Sequence, residues 1–249
     1  MGYKAFLYLR TSIFNVGYFI SSMMFGALST LIWPLLPYRL RYPVINHWNR
    51  FVMVWLRLCC NIRIEVQGEK RPELQPYIIM AKHQSTWETL FLQFYFEPIA
   101  TILKKELLRI PFFGWGLAAL RPIAIDRSNK TQALRDVKTK SVAALKDGIN
   151  VMVFPEGTRT LPGQTLSYAR SGADIACATG RPIVPVAHNA ADCWPHKHYL
   201  KYPGTITMVI GEPIYSEGKD RKVLTEAARQ WIEGTMATLP NGRDAAGSD

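Results

Sequence analysis

The segment KHQSTWET, residues 82–89, contains the first pair of side chains that could carry chemistry. His83 follows a short apolar run, and Glu88 comes five residues later. Within one continuous helix this spacing would hold the two side chains about 140° apart. They can meet if His83 lies in a strand-to-helix turn, with Ser85 as the N-cap of the helix and Glu88 in its first turn.

In that geometry His83 and Glu88 would form a base and its orienting partner. Glu88 would accept the Nδ1 proton, fix the tautomer and stabilise the imidazolium, and Nε2 would take a proton from a substrate hydroxyl. The alternative is that Glu88 only caps the helix and that His83 is an ordinary loop residue. The spacing alone leaves both interpretations open.

The segment VMVFPEGTR, residues 151–159, is the second candidate, since a buried strand is expected to open here into a polar turn. Gly157 permits a tight turn with close backbone approach. The guanidinium of Arg159 suits a phosphate, Thr158 offers a hydroxyl, and Glu156 could bind a hydroxyl of a ligand. The alternative is a common surface turn.

Two further basic segments could add to anion binding. Arg127 follows the run RPIAID and precedes a predicted helix N-terminus, where anions bind readily. Lys104 and Lys105 end the run PIATILKK, and an aromatic cluster follows them. The alternatives are a surface pair between Asp126 and Arg127 and a solvated basic turn above a core contact.

Short apolar runs alternate with amphipathic segments and predict the elements that position these residues. Strands are predicted at residues 61–66, 77–82, 98–105, 121–126, 149–155, 181–187 and 205–210. Helices are predicted at residues 86–96, 128–147, 168–179 and 223–239. This order predicts an α/β fold with a mostly parallel central sheet flanked by helices.

The first 64 residues differ from the rest, because they contain seven basic residues and no acidic one. Residues 11–38 carry no charge, and the part up to Pro34 could form a helix of about 35 Å, enough to cross a bilayer core of about 30 Å. Residues 43–60 read as a second helix with Arg50 and Arg57 on one face. The pattern predicts an N-terminal hydrophobic two-helix membrane motif.

We interpret this motif as a hairpin held in one leaflet, because two arginines disfavour a second crossing but can snorkel from an interfacial helix. A single crossing, an ordinary buried hairpin and a cleaved signal peptide are the alternatives. The predicted organisation is a membrane-associated hairpin at residues 1–60, an α/β domain at 61–239 and a disordered tail at 240–249.

The net charge of +11 suits nucleic acid, an anionic membrane or a phosphorylated substrate. We find no nucleic-acid-binding motif, and basic residues interleaved with long apolar runs favour a membrane surface. The four cysteines form no CxxC pair, which indicates free thiols on the reducing side of a membrane. The His and Cys residues between 188 and 198 match no firm zinc spacing, so no metal site is predicted.

Four segments together resemble the glycerolipid acyltransferase family. KHQSTWE, AIDR, FPEGTR and IVPV match the order and spacing of the four sequence blocks of that family. LKKELLRIPFFGWG and TITMVIGEPI are similar to its bacterial lysophosphatidic acid acyltransferases, and the resemblance covers residues 40–215. One departure is visible, since the family's usual acid is Asp and this chain has Glu88, which is one methylene longer.

The resemblance implies an enzyme that moves a fatty acyl chain from acyl-CoA or acyl-carrier protein to the free hydroxyl of lysophosphatidic acid, forming phosphatidic acid. His83 would be the general base, oriented by Glu88, and the hydroxyl would attack the thioester directly, without a covalent acyl-enzyme. No metal and no cofactor beyond the acyl donor is implied. The expected location is the cytoplasmic membrane, with the catalytic domain on the cytoplasmic face.

The resemblance also implies that one group of residues binds the acceptor. Arg127 and Arg159 would hold its phosphate with the help of Lys104 or Lys105, and Glu156 would contact the glycerol. The full substrate-binding set is Lys104, Lys105, Arg127, Glu156, Gly157, Thr158 and Arg159.

Three other functions remain open at this point. The same machinery could acylate glycerol 3-phosphate or another lysophospholipid. A non-catalytic membrane protein could use the basic residues to bind anionic lipid, although the intact His83 and Glu88 argue against it. A thioesterase could use the same pair with water, although arginines suited to phosphate argue against that.

Overall fold

The computed structural model describes residues 2–244 of the chain. The helices are α1 (Tyr3–Ile32), α2 (Tyr38–Cys60), α3 (Trp87–Tyr95), α4 (Phe113–Ala119), α5 (Lys130–Lys146), α6 (Ser171–Thr179), α7 (Ala190–Cys193) and α8 (Arg221–Thr238). The strands are β1 (Ile62–Gln67), β2 (Ile78–Ala81), β3 (Ile99–Lys104), β4 (Ile123–Ile125), β5 (Asn150–Val153), β6 (Ile183–His188) and β7 (Gly204–Ile210). Short 3₁₀ helices lie at Pro72–Leu74 and Lys105–Arg109.

The strands form one seven-stranded sheet in the order β1-β7-β6-β2-β5-β3-β4. Neighbouring strands are parallel throughout, except that β6 and β7 are antiparallel. Strands β2, β5 and β6 are buried along their whole length, as continuous apolar runs in a covered parallel sheet should be. The predicted α/β fold with a mostly parallel sheet flanked by helices is therefore confirmed.

Each face of the sheet carries its own hydrophobic core. On β2, Ile79 and Ala81 belong to the core that also contains residues of α2 and α3. Ile78 and Met80 belong to the other core, with residues of α5, α6 and α8. This alternation follows from the period of two along a strand. At the carboxyl end of β2 the chain then enters a polar turn.

The two N-terminal helices are buried to very different extents. Helix α2 buries Val52 and Leu56 completely in the core on its side of the sheet. Helix α1 exposes much of its apolar surface, including Phe19, Met24 and Leu31, which are each more than 60% exposed. Within residues 2–244, α1 is the one helix long and apolar enough to cross a membrane. Its exposed apolar face indicates membrane association.

A loop after α7 fixes the first half of α1 to the α/β domain. The backbone N–H of Lys201 donates to Thr11 Oγ1 at 3.1 Å, and its Nζ donates to Asn15 Oδ1 at 2.9 Å. The hydroxyls of Ser12 and Tyr199 lie 2.8 Å apart. Lys201 is only 5% exposed, and burial lowers the pKa of its ammonium to about 8.

Three of the differences between the structure and the predictions concern α2, α4 and the C-terminal tail. Helix α2 begins at Tyr38 rather than at residue 43, because it tolerates Pro43 near its start at the cost of one backbone hydrogen bond. Helix α4 was not predicted, since its seven residues include two glycines and no clear apolar period. Of the tail predicted as disordered, residues 245–249 lie outside the described residues, but Gly242 accepts a hydrogen bond from the backbone N–H of Thr205 at 2.8 Å.

Candidate active site

The structure brings His83 and Glu88 together. His83 lies in the turn between β2 and α3, and Glu88 lies in the first turn of α3. The Nδ1 atom of His83 is 2.8 Å from Oε1 of Glu88. With Nδ1 donating to the carboxylate, Nε2 is the ring nitrogen that can accept a proton.

The carboxylate of Glu88 is completely buried and held by the backbone of the turn. Its Oε1 accepts hydrogen bonds from the N–H groups of Gln84 at 2.8 Å and Ser85 at 2.7 Å. Burial acts to raise the pKa of Glu88, but its hydrogen bonds and the neighbouring histidines outweigh burial and hold the pKa below its usual value. Glu88 is therefore an anion at neutral pH.

The cap of α3 differs by one residue from the prediction. The N-cap is Thr86, which makes no side-chain capping hydrogen bond. Ser85 lies one residue earlier, where its Oγ accepts from the N–H of Trp87 at 3.1 Å and donates to the carbonyl of Trp194 at 2.5 Å. Glu88 still reaches back to the N–H of Ser85, so the carboxylate closes the turn and orients His83 at the same time.

The imidazole of His83 lies against one wall of the site. Its ring stacks on Phe154 with a centroid distance of 4.0 Å and an interplanar angle of 16°. The side chain is 15% exposed. This stacking, together with the bond to Glu88, fixes the ring plane while leaving one edge accessible.

A second histidine, which was not predicted to belong to the site, lies behind Glu88. His188 ends β6 and is fully buried, and its Nε2 donates to the backbone carbonyl of Lys82 at 2.9 Å. The same Nε2 lies 3.9 Å from Glu88 Oε2. The signal that could have identified it is its place at the end of β6, the strand that pairs with β2.

The predicted substrate residues lie along the same edge of the sheet as His83. His83, Glu156, Lys104 and Arg127 lie at or just after the carboxyl ends of β2, β5, β3 and β4, which are neighbours in that order. The edge from β2 to β4 spans three strand spacings, about 14 Å. The loop after β5 connects the two ends, since Glu156 contacts the His83 turn and Gly157 contacts Arg127.

The expected contact of Glu156 with the acceptor needs correction. Its carboxylate is not exposed at all, because Oε1 accepts from Lys82 Nζ at 2.8 Å and Oε2 accepts from the N–H of His83 at 3.1 Å. Burying a carboxylate requires such partners. Both carboxylate oxygens of Glu156 therefore bond inside the protein, where they hold the His83 turn.

The turn after Glu156 is open to solvent. Gly157 has a φ of 70°, a conformation that glycine adopts without strain, and its carbonyl accepts from Arg127 Nη1 at 2.9 Å. Thr158 is exposed. The Nε of Arg159 is buried and makes no hydrogen bond within residues 2–244. Its guanidinium lies close enough to His196 to help burial lower the pKa of that imidazole.

Lys104 and Lys105 are both exposed at the end of β3. Lys105 acts electrostatically on Asp126 and Asp136, and so lies towards the β4–α5 end of the site. Within the described residues, no direct contact joins either lysine to His83. These lysines can supply positive potential to the site rather than a fixed contact.

An apolar cavity of about 60 Å³ lies between α1, α2, α3 and α4. Thr89 and Leu90, which directly follow Glu88, belong to its wall. The other lining residues include Phe25, Ile45, Trp48, Phe113, Gly116 and Leu117. The cavity is therefore contiguous with the helix that carries Glu88.

With this geometry established, comparisons with known proteins identify the family. The model of the family described as Acyltransferase matches residues 63–189. The chain belongs to this family. The match begins in β1, ends just after β6, and includes His83, Glu88, Arg127 and the loop with Arg159.

Individual members of the Acyltransferase family support the assignment over nearly the whole chain. The 1-acyl-sn-glycerol-3-phosphate acyltransferase of Pseudomonas aeruginosa is 43% identical, and the match covers 93% of this chain and 91% of that protein. The Escherichia coli protein of the same name is 30% identical over 97% and 99%. The crystal structure of the 1-acyl-sn-glycerophosphate acyltransferase from Thermotoga maritima matches with a TM-score of 0.74, at 25% identity over 93% and 97%.

Proposed function

We propose that this protein transfers a fatty acyl chain from an acyl thioester to the free hydroxyl of 1-acyl-sn-glycerol 3-phosphate (lysophosphatidic acid), forming phosphatidic acid. The observation that carries the proposal is the His83–Glu88 pair, which lies on the same sheet edge as the turn that contains Arg159. The names of the relatives from Pseudomonas aeruginosa and Escherichia coli support this acceptor.

The reaction proceeds in two steps, through a tetrahedral intermediate. His83 Nε2 takes the proton of the acceptor hydroxyl as the oxygen attacks the thioester carbonyl, and Glu88 stabilises the imidazolium. The tetrahedral intermediate then collapses, the carbon–sulfur bond breaks, and the leaving thiolate takes the proton from His83. An ester and a free thiol result, so the reaction needs no cofactor besides acyl-CoA or acyl-carrier protein.

Acceptor binding relies on the basic residues of the loop edge. Arg127 and Arg159 bind the phosphate monoester, the hydroxyl of Thr158 adds a hydrogen bond, and Lys104 or Lys105 adds positive potential. Gly157 shapes the turn that presents these groups. Holding the phosphate at this edge sets the distance from the acceptor hydroxyl to His83. Such positioning can contribute about 7 kcal/mol or more to lowering a barrier.

We place the acyl chain on the side of the molecule that faces the membrane. The apolar cavity beside α3 is bounded by α1, whose outer face is exposed and apolar. We place the α1–α2 hairpin in one leaflet, with the α/β domain on the cytoplasmic face, where acyl-CoA and acyl-carrier protein occur. The four cysteines are all free thiols, which agrees with a reducing compartment.

The test is acyl transfer by the detergent-purified protein, with acyl-CoA and acyl-carrier protein as donors. The acceptors are lysophosphatidic acid, glycerol 3-phosphate, lysophosphatidylcholine and none. His83→Ala is compared with His198→Ala, which removes an exposed imidazole from a nearby loop. Turnover confined to lysophosphatidic acid, lost in His83→Ala and kept in His198→Ala, is the expected result.

Other outcomes would each replace the proposal with a specific rival. Thioester hydrolysis without acceptor would indicate a thioesterase. Preference for glycerol 3-phosphate or lysophosphatidylcholine would change the acceptor, and the latter would remove the phosphate role from Arg127 and Arg159. No turnover with either donor would favour a lipid-binding membrane protein.

A further inference from the structure

A buried lysine lies between two carboxylates next to the active site. Lys82, the residue before His83, is 1% exposed, and its Nζ donates to Glu156 Oε1 at 2.8 Å and to Glu233 Oε1 at 2.9 Å. Glu156 follows β5, whereas Glu233 belongs to α8, near the C-terminus. A buried charge cluster contributes little net stability relative to apolar packing, so its placement calls for another role.

The cluster holds both ends of the long loop between β5 and α6. At the start of the loop, Glu156 is fixed by Lys82. Towards its end, Lys82 Nζ also donates to the carbonyl of Gln164 at 3.0 Å. Thr165 Oγ1 donates to Glu233 Oε2 at 2.9 Å, and Tyr168 Oη donates to Glu233 Oε1 at 2.8 Å. The cluster of Lys82, Glu156 and Glu233 thus holds this segment, which has no regular structure, at two separate points.

The middle of the same loop is attached to the His83 peptide. The N–H of Thr160 donates to the carbonyl of His83 at 2.8 Å, and Thr160 is fully buried. Glu156 Oε2 accepts from the N–H of His83. Between the attachments at Glu156 and Thr160 lies the turn at residues 157–159, in which Gly157 and Thr158 are exposed and Arg159 is half-buried. This turn carries the proposed phosphate contacts.

We infer that Glu233 is a positioning residue for acceptor binding, which acts with Lys82 as a clamp that fixes the turn at residues 157–159 relative to His83. The inference deepens the proposed function and rests on it for the identity of the acceptor. Burial opposes ionisation of Glu233, but the hydrogen bonds from Lys82, Tyr168 and Thr165 outweigh burial and keep its pKa below the usual value. Glu233 is thus an anion at neutral pH and a full partner of the Lys82 ammonium.

The experiment compares three substitutions in α8 of the full-length protein. Glu233→Ala removes the clamp, Glu233→Gln keeps an oxygen that can accept from Lys82 and Tyr168, and Glu226→Ala is the control, since Glu226 is a half-exposed residue of the same helix paired with Arg229. Steady-state kinetics are measured by varying lysophosphatidic acid and acyl-CoA separately.

For Glu233→Ala we expect kcat/KM for lysophosphatidic acid to fall by about 10- to 100-fold, because small displacements of a binding group are costly. Most of the loss should lie in the KM for that acceptor, while the KM for acyl-CoA stays within about twofold. Glu233→Gln should restore most of the activity. A fall in kcat with both KM values unchanged would indicate a smaller folded fraction and would overturn the inference.

Hydrogen exchange supplies a second measurement that does not depend on activity. In Glu233→Ala the backbone amides of residues 156–168, including Thr160, should exchange faster than in the wild type, and in Glu226→Ala they should not. Equal exchange in the two variants would overturn the clamp. A wild-type protein without acyltransferase activity would defeat the proposed function, while exchange would still test the clamp.

Tyr168→Phe covers the case in which Glu233→Ala does not fold. It removes one donor to Glu233 and keeps the ring. We expect a smaller rise in the KM for lysophosphatidic acid, with faster exchange confined to the end of the loop. Kinetics and exchange identical to the wild type would contradict the clamp.

Discussion

His188 Nε2 lies 3.9 Å from Glu88 Oε2, and neither side chain is exposed to solvent. The Nδ1 of His188 accepts from the N–H of Ala190 at 3.3 Å, so Nε2 carries the hydrogen that it donates to the carbonyl of Lys82. Burial lowers the pKa of His188. The carboxylate therefore has a histidine on either side, of which only His83 can reach a substrate.

Because His188 is buried, we expect the unfolding free energy to fall at acidic pH. Because its pKa is lowered in the folded state, its contribution to stability is complete above the unfolded value of 6.5 and is lost as the pH falls from there towards the folded pKa. In that window the unfolding free energy of the wild type should fall by up to about 1.4 kcal/mol per pH unit on account of this one group.

His188→Gln isolates this effect, because the Gln amide nitrogen reaches as far as Nε2 and can donate to the carbonyl of Lys82 but does not titrate. Denaturant unfolding at pH 5 to 8 should show a shallower pH dependence in the variant than in the wild type. His196 also has a lowered pKa and acts in the same direction, but it is present in both proteins. Equal slopes would show that His188 does not contribute.

Two substitutions of Glu88 should separate the effect of its charge on kcat from the effect of its side-chain length. Glu88→Gln should lower kcat by about 10³- to 10⁴-fold, since the amide cannot stabilise the imidazolium or hold the same tautomer. Glu88→Asp keeps the charge and has the family's usual acid, but it is one methylene too short for this turn and should cost about tenfold. Equal losses in the two variants, measured under saturating substrates, would mean that charge is not the property that counts.

Arg127 and Arg159 should determine the affinity for the acceptor. Replacing either by Ala should raise the KM for lysophosphatidic acid by about 10- to 100-fold, the range expected for a lost charge-assisted hydrogen bond, with less change in kcat. Arg135→Ala, on the exposed surface of α5, removes the same charge as a control. If all three variants behave alike, net charge rather than specific contacts attracts the acceptor.

The apolar cavity predicts a change in acyl-chain preference. A Cβ at Gly116 would lie 3.6 Å from its nearest neighbours, which is ordinary contact, so Gly116→Ala should be tolerated. Gly116→Leu would place a side chain in the cavity and should shift the preference towards shorter chains. Competition among acyl-CoA chain lengths measures this, and an unchanged preference would mean that the chain lies elsewhere.

The sheet and the His83–Glu88 pair could be predicted because their sequence signals are local. Runs such as IIMA and NVMV are buried on both faces and cannot be mistaken for loops, and the turn between β2 and α3 fixes the meeting of His83 and Glu88. Helix α4 could not be predicted, because its packing on α1 depends on tertiary contacts. A Cβ at Gly26 of α1 would overlap the backbone of Phe112, so only glycine permits this approach.

The partner of Glu156 could not be predicted from the neighbouring sequence either. Its position in the FPEGTR segment indicates a ligand contact, but the competing cation, Lys82, lies 74 residues earlier in the chain and the second acid, Glu233, lies 151 residues after Lys82. Burial and the sheet order bring these three charges together. The sequence pattern singles out Glu156, and only the fold shows that its carboxylate bonds to Lys82 and the His83 turn.

The attachment of Lys201 to Thr11 and Asn15 has a consequence for how the molecule meets lipid. Because the first half of α1 is bonded to the same body as the sheet, helix and sheet tilt together, and no hinge separates them at this contact. The height of His83 relative to the apolar face of α1 is then set by the fold. A change in how deeply α1 lies in the leaflet would move the imidazole by the same amount, and the height of His83 above the lipid-facing side of α1 would limit which acceptors reach it.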